Sequence, residues 1–311
     1  MIDSSKLRWR AGGRSAFLER IAPILSGSTG REQYGDEQPA SSMSGERSTH
    51  VPTVSQMAIQ DPGWSGGETT RDIAIAEEVC AATQASRLTI VTEPICSVNN
   101  PDFILYRECF PRLMDSRGAP LSPEVFMPSL ERTGMVRWFD RYIVRRVIRA
   151  LRDQPDLILG VNISALSAVE DAPWTSTLID LQQSPDIAGR LVLEISENAP
   201  LTLGGARRFG NMLRQLGCAI AIDDFGVAYG VETNIAIDRP DIIKINAFRN
   251  GISTDANIRS RLAGMIRIAS DMSSKVIVEG FEHEADIKYI RDAGALWAQG
   301  RCFEREYPCL V

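Results

Sequence analysis

The sequence predicts an α/β fold, a TIM-like (β/α)8 barrel with room for one antiparallel strand near its start, behind a flexible N-terminal tail. Three observations predict it. Beyond Thr70, short apolar runs alternate with longer segments of helical period. There are eight such runs, and most are apolar without the strict alternation of a half-exposed sheet, as in a parallel sheet covered by helices on its outer face. Nearly every run ends in a polar or charged side chain. Eight strands within residues 72–311 suit a closed barrel better than an open doubly wound sheet. No GxGxxG or GxxxxGK[ST] follows any strand.

In order, the runs are LTIVTEPI (88–95), FILYRECF (103–110), LILGVNIS (157–164), LVLEIS (191–196), AIAID (219–223), IIKIN (242–246), KVIVEG (275–280) and ALWAQ (295–299). Only the short polar segment CSVNNPD joins the first two, too little for a parallel crossover, so the antiparallel strand is expected there. Helical patterns cover 136–154, 206–217 and 258–272. In the first of these, Val136, Phe139, Ile143, Val147 and Leu151 recur at helical spacing, which leaves its arginines as a solvated face. Trp297 among small residues suits a barrel wall or a pocket.

Residues 1–71 read as a flexible tail. The stretch from Ser26 to Thr70 is rich in Ser, Gly, Pro, Gln and charge, too polar to bury a core. Before it, SAFLERIAPIL has the pattern of a short amphipathic helix that docks on the domain itself, with a protein partner or a membrane surface as the alternatives. A net charge of -6 and a pI near 5.2 argue against binding polymeric DNA or RNA or an anionic membrane surface. The six cysteines lack metal-ligand spacing and read as reduced thiols of a cytoplasmic protein. Two histidines, His50 and His283, are too few for a histidine-rich metal site. No apolar run reaches the roughly 18 residues of a membrane span.

In a barrel of this kind the reactive groups gather at the C-terminal ends of the strands. Those ends carry Glu108, Asn162, Glu194, Asp223 with Asp224, Lys244, Glu279 and Gln299. Carboxylates converging on one barrel mouth repel one another unless cations intervene, and ligation by oxygen alone suits Mg2+ or Mn2+. Two ions sharing a bridging carboxylate account for the adjacent acids in CAIAIDDFGVAYG (218–230), and such a pair suits phosphoryl transfer. Lys244 is placed to orient water or to neutralise developing charge.

At these residues the chain resembles the EAL-domain phosphodiesterases, which open cyclic di-GMP. The resemblance runs from about Asp72 to Pro308. Glu108-Cys109-Phe110 stands at the Glu-Ala-Leu signature, with Arg112 at the substrate-phosphate position. Val161-Asn162-Ile163-Ser164, Glu194-Ile195-Ser196-Glu197, Asp223 to Gly226, Ile243-Lys244-Ile245, Glu279-Gly280-Phe281-Glu282 and Gln299-Gly300 match the remaining motifs in order.

The resemblance implies two ions, Mg2+ or Mn2+, held by Glu108, Asn162, Glu194, Asp223 and Asp224, with Asp223 bridging. It assigns Lys244, Glu279 and Glu197 to catalysis and Phe110, Arg112, Gln299 and Glu282 to the substrate. It also implies a homodimer and a product, pGpG, whose formation favours motility over biofilm. Four places differ from the family pattern: Cys109-Phe110 for Ala-Leu, VAYGVE (227–232) for the loop TGYSSL, Asn246 for Asp, and Glu93 for the Gln before Pro-Ile. They leave a second reading open, a weak or inactive domain that serves as a cyclic di-GMP receptor or a protein-interaction module.

Overall fold

The computed structural model describes residues 70–196, 205–226, 237, 239–247, 256–281 and 284–303. The barrel strands are β1 (Leu88–Ser97), β2 (Ile104–Met114), β4 (Leu159–Ile163), β5 (Leu191–Ser196), β6 (Ala219–Asp223), β7 (Ile242–Asn246), β8 (Val276–Phe281) and β9 (Trp297–Gly300). A two-residue strand, β3 (Pro120–Leu121), extends the outer end of β2. All eight apolar runs become strands.

Around the ring the order is β1-β9-β8-β7-β6-β5-β4-β2, and β2 pairs back onto β1 to close it. The one antiparallel barrel strand is β1, which runs against both β2 and β9. Every other neighbouring pair in the barrel is parallel. The short 98–103 connection leaves no room for a crossover helix, which is why the first hairpin breaks the parallel rule.

The described helices are α1 (Thr70–Gln84), α2 (Pro123–Arg132), α3 (Val136–Asp153), α4 (Thr175–Gln183), α5 (Gly205–Leu216), α6 (Ala256–Met272) and α7 (Glu284–Asp292), with a single turn at Pro185–Ala188 between α4 and β5. On α3 the residues Val136, Phe139, Ile143, Val147 and Leu151 are buried, as their spacing predicts. Arg145, Arg149 and Arg152 are exposed, as that prediction has it, and Arg141 is the correction to it. Arg141 is buried and pairs with Asp171, while Arg145 bonds Ser176 and Arg152 pairs with Asp180. That face carries the contact between α3 and the segment around α4.

Two apolar layers result. The larger lies between the sheet and the helices, and the smaller fills the barrel with Ile95, Tyr106, Val192, Ala221, Ile242 and Ile277. Trp297 packs beside this inner layer and tilts against Phe103 with ring centroids 5.8 Å apart, a wall position. Cys80, Cys96, Cys109 and Cys218 are buried free thiols. Among the described residues no helix is long and apolar enough to cross a membrane. Residues 1–69 of the tail, with its expected helix, lie outside the described residues, and Thr70 and Arg71 open α1.

Candidate active site

The inner layer changes from apolar to ionic at one end of the barrel because strand periodicity sends alternate residues inward. On β2 that face carries Tyr106, Glu108, Phe110 and Arg112 in succession. Tyr106 and Glu108 are buried, Phe110 is half-buried, and Arg112 is exposed, so one strand runs from the barrel floor to solvent. Glu108 therefore sits mid-strand, although the sequence placed it near a strand end. The cause is the ladder: β4 pairs only with Arg107 to Cys109, and beyond the rim β2 continues along β1 and β3.

Lys244 occupies the centre of the site. Its ammonium lies 2.6 Å from Glu108 Oε2, 2.7 Å from Glu194 Oε2, 3.2 Å from Glu279 Oε2 and 3.7 Å from Asp223 Oδ1. Burial opposes the charge on Lys244, but the carboxylates of Asp223, Glu108, Glu194 and Glu279 outweigh it and hold the pKa well above the ordinary lysine value. Lys244 is thus held as the ammonium, a cation and a donor at the centre of the ring. Burial, followed by the charge of Glu108, pushes the Glu194 carboxyl up to about 8. Burial and Asp223 raise Glu279 in the same way.

Two amides complete the ring. Asn162 Nδ2 donates to Glu108 Oε1, and Gln299 Nε2 donates to Glu108 Oε2 at 2.8 Å. Asp223 and Asp224 reach the same mouth through a turn in which Asp224 takes a left-handed backbone, φ 58°, a conformation that Asp tolerates better than most residues. The Asp224 N–H donates to Asp223 Oδ1 at 2.8 Å, and the Phe225 N–H ties the turn to the Lys244 carbonyl at 2.9 Å.

Four carboxylates around one lysine, with Asp224 at the same mouth, outnumber the cation. Ligand atoms of Asp223, Asp224 and Glu279 all lie within 4.8 Å of one another, a spacing that can hold a metal ion. Apart from the Lys244 contact, neither buried oxygen of Glu194 meets a donor among the described residues. Unmatched buried acceptors in an all-oxygen set fit a hard divalent cation.

The structure brings together Glu108, Asn162, Glu194, Asp223, Asp224, Lys244, Glu279 and Gln299. Gln299 is buried against Glu108, with its Oε1 unpartnered among the described residues. Phe110 and Arg112 form the outer wall, the Arg112 guanidinium 5.5 Å from the Phe110 ring centre and 3.8 Å from Glu93 Oε1. Glu197 and Glu282 lie outside the described residues.

Two residues not singled out in the sequence shape the floor. Gly160 has no side chain where a Cβ would stand 2.2 Å from Glu194 Oε1 and 2.5 Å from Tyr106 Cε2. Tyr106 is buried with its hydroxyl unpartnered among the described residues, and burial, then Glu194, keeps that phenol well above its usual pKa. A glycine inside an apolar strand, marking a close approach, was the available signal.

Comparison with known proteins adds the family. The family model described as EAL domain matches residues 76–306. The chain belongs to the EAL domain family. The cyclic di-GMP phosphodiesterase NbdA of Pseudomonas aeruginosa is 24% identical over 257 residues, covering 77% of this chain and 31% of that protein. Among solved structures, the PaMucR phosphodiesterase in complex with c-di-GMP aligns with a TM-score of 0.64 at 21% identity, over 76% of this chain and 98% of that one. Vibrio cholerae LapD (S helix-GGDEF-EAL), bound to c-di-GMP, aligns at 0.66 with 20% identity, over 77% and 59%. The EAL chain spans about a third to two fifths of the length of the curated relatives it matches.

Proposed function

We propose that this EAL domain hydrolyses cyclic di-GMP to linear pGpG, using two Mg2+ or Mn2+ ions. The observation that carries the reading is the ring of Glu108, Glu194, Asp223 and Glu279 closed on Lys244, with Asp224 and Asn162 at its rim and an exposed arginine on the wall beside it. Glu108, Asn162, Glu194, Asp223 and Asp224 would hold the ions, with Asp223 shared. Bound there, the ions supply Lewis acidity and a nucleophilic water at neutral pH.

The protein side chains do the rest. Arg112 offers the substrate phosphate a fork of donors, and the Phe110 ring offers a guanine a stacking face. Lys244, permanently charged, holds the attacking oxygen and neutralises charge that grows on the phosphoryl oxygens. The water oxygen bonds to phosphorus, the ribose 3′-oxygen leaves and takes a proton, and one phosphodiester becomes a 5′-phosphate. The apolar inner layer beneath the cage excludes bulk water from below.

One contact favours a second reading, a weak or inactive domain that serves as a cyclic di-GMP receptor or, where the ligand is lost too, as a protein-interaction module. Glu93 stands beside Arg112 and competes with a phosphate for its guanidinium. Purified protein incubated with cyclic di-GMP and Mn2+ distinguishes the two when followed by chromatography beside Asp223→Asn. Metal-dependent pGpG, lost in the variant, is the expected result. Binding in Ca2+ without product would establish the receptor instead, and neither would refute both cyclic di-GMP roles and leave the protein-interaction module.

A further inference from the structure

Asn162 reaches the cage from a place held by sheet pairing on one side only, where it registers with Glu194 of β5. The β2–β4 ladder pairs Arg107, Glu108 and Cys109 with Leu159, Gly160 and Val161, so Asn162 lies one residue past the last pairing on the side it faces. On the other side the ladder with β5 ends at Ile163. From Ser164 onward the chain turns away into a short 3-10 segment, Ala165–Ser167.

That turn is held from outside the barrel by α3. Asp140 Oδ2 accepts from the Ser164 N–H at 2.9 Å and from the Ser167 hydroxyl at 2.6 Å, while Arg137 Nε donates to the Leu166 carbonyl at 2.9 Å. From α2, Glu131 Oε1 accepts from the Ser164 hydroxyl at 2.9 Å, and the Trp174 indole N–H donates to the Ser167 carbonyl at 3.0 Å. Asp140, Ser164, Ser167 and Trp174 are all buried. A buried carboxylate is costly, and an apolar side chain would fill the space without that cost. What the acid provides is direction, since one oxygen gathers two donors two and five residues past Asn162.

We propose that Asp140 is a positioning residue for the metal-binding rim: by clamping Ser164 and Ser167 it fixes the end of β4 and so the orientation of the Asn162 amide toward Glu108. Its role at a metal centre rests on the phosphodiesterase reading. Its role in orienting Asn162 does not.

The test compares wild type, Asp140→Asn, Ser167→Ala and the double variant. The Asn162 side-chain amide is read by 1H–15N NMR without metal or substrate, Mn2+ affinity by calorimetry, and the loop by Trp174 fluorescence. In Asp140→Asn the Asn162 resonance shifts or broadens and Mn2+ affinity falls about 10- to 100-fold, the range for losing a group that orients a ligand. Ser167→Ala, which keeps the acid and the fold, gives a smaller change in the same direction. In the double variant Ser167→Ala adds little, because both changes act on one clamp. An Asn162 resonance unmoved in Asp140→Asn or in Ser167→Ala, with stability alone reduced, would overturn the proposal. Absence of pGpG from wild type bears on the phosphodiesterase reading alone, because the NMR readout needs no turnover.

Discussion

Gly160→Ala adds one methyl group at the point where three parts of the site meet. The new Cβ would stand 2.2 Å from Glu194 Oε1 and 2.5 Å from Tyr106 Cε2, where side chains essentially never come closer than 3.0 Å. The carboxylate must therefore retreat by roughly 0.8 Å and the ring by roughly 0.5 Å, even for a poor contact. Glu194 is fully buried and tied to Lys244 at 2.7 Å, so its retreat strains the central ion pair. Overpacking of this kind costs about 1–3 kcal/mol of stability, and a misplacement near 1 Å costs about 100-fold in rate. Urea unfolding reads the first effect, and Mn2+ calorimetry with chromatography of pGpG reads the second. Adding Tyr106→Leu removes the ring clash and returns part of the stability, while the metal affinity stays low because Glu194 is still displaced. A Gly160→Ala protein with wild-type stability and Mn2+ affinity would refute the close approach.

Two further predictions concern charge. Lys244→Met leaves Glu108 and Glu194 buried without their cation, and breaking a buried pair in this way costs about 3–5 kcal/mol. Mn2+ should then raise the melting temperature of the variant more than that of wild type, because the ion supplies the missing charge; equal shifts would count against the cage. Asp140 gives a pH signature, since burial raises its carboxyl to about 7 from 3.8, with Glu131 raising it further and Ser167, Ser164 and Arg141 opposing. Between those values the folded protein holds a proton that the unfolded chain has released, so stability falls as pH rises from about 4 through about 7. Asp140→Asn removes this term and flattens the stability profile across that window. Denaturant midpoints measured every half pH unit read the difference, and parallel profiles would place the titration elsewhere.

Much of the barrel was legible because a strand buried on both faces leaves an unambiguous apolar run, and all eight runs became strands. The cage was legible for a related reason, since acids or amides at the ends of such runs have few apolar neighbours to explain them. Other features depend on which residues face each other across strands, and no local pattern encodes that. The complementarity of Gly160 with Tyr106 and Glu194 is of this kind, as is the extension of β2 six residues beyond Glu108. On α3 the periodicity placed the apolar stripe correctly but not the polar residues on it. Asp140 follows Phe139 and lies one turn after Val136, on the buried stripe, where an acid was itself the signal. Arg141 was read as solvated because its partner, Asp171, is thirty residues away.

Glu108 Oε2 is shared by Lys244, 136 residues further along the chain, and by Gln299, 191 residues further along. The second of these bonds spans the seam of the ring. There β1 and β9 are joined by only two registered pairs, Cys96 with Ala298 and Ser97 with Trp297. The cage thus works as a hoop around the staves: it cannot assemble until the last strand has docked beside the first, and whatever tightens it draws the seam shut. On the proposed metal reading, filling the mouth also tightens the ring, so protection of the β9 amides from hydrogen exchange should rise when Mn2+ is added and fall when it is chelated.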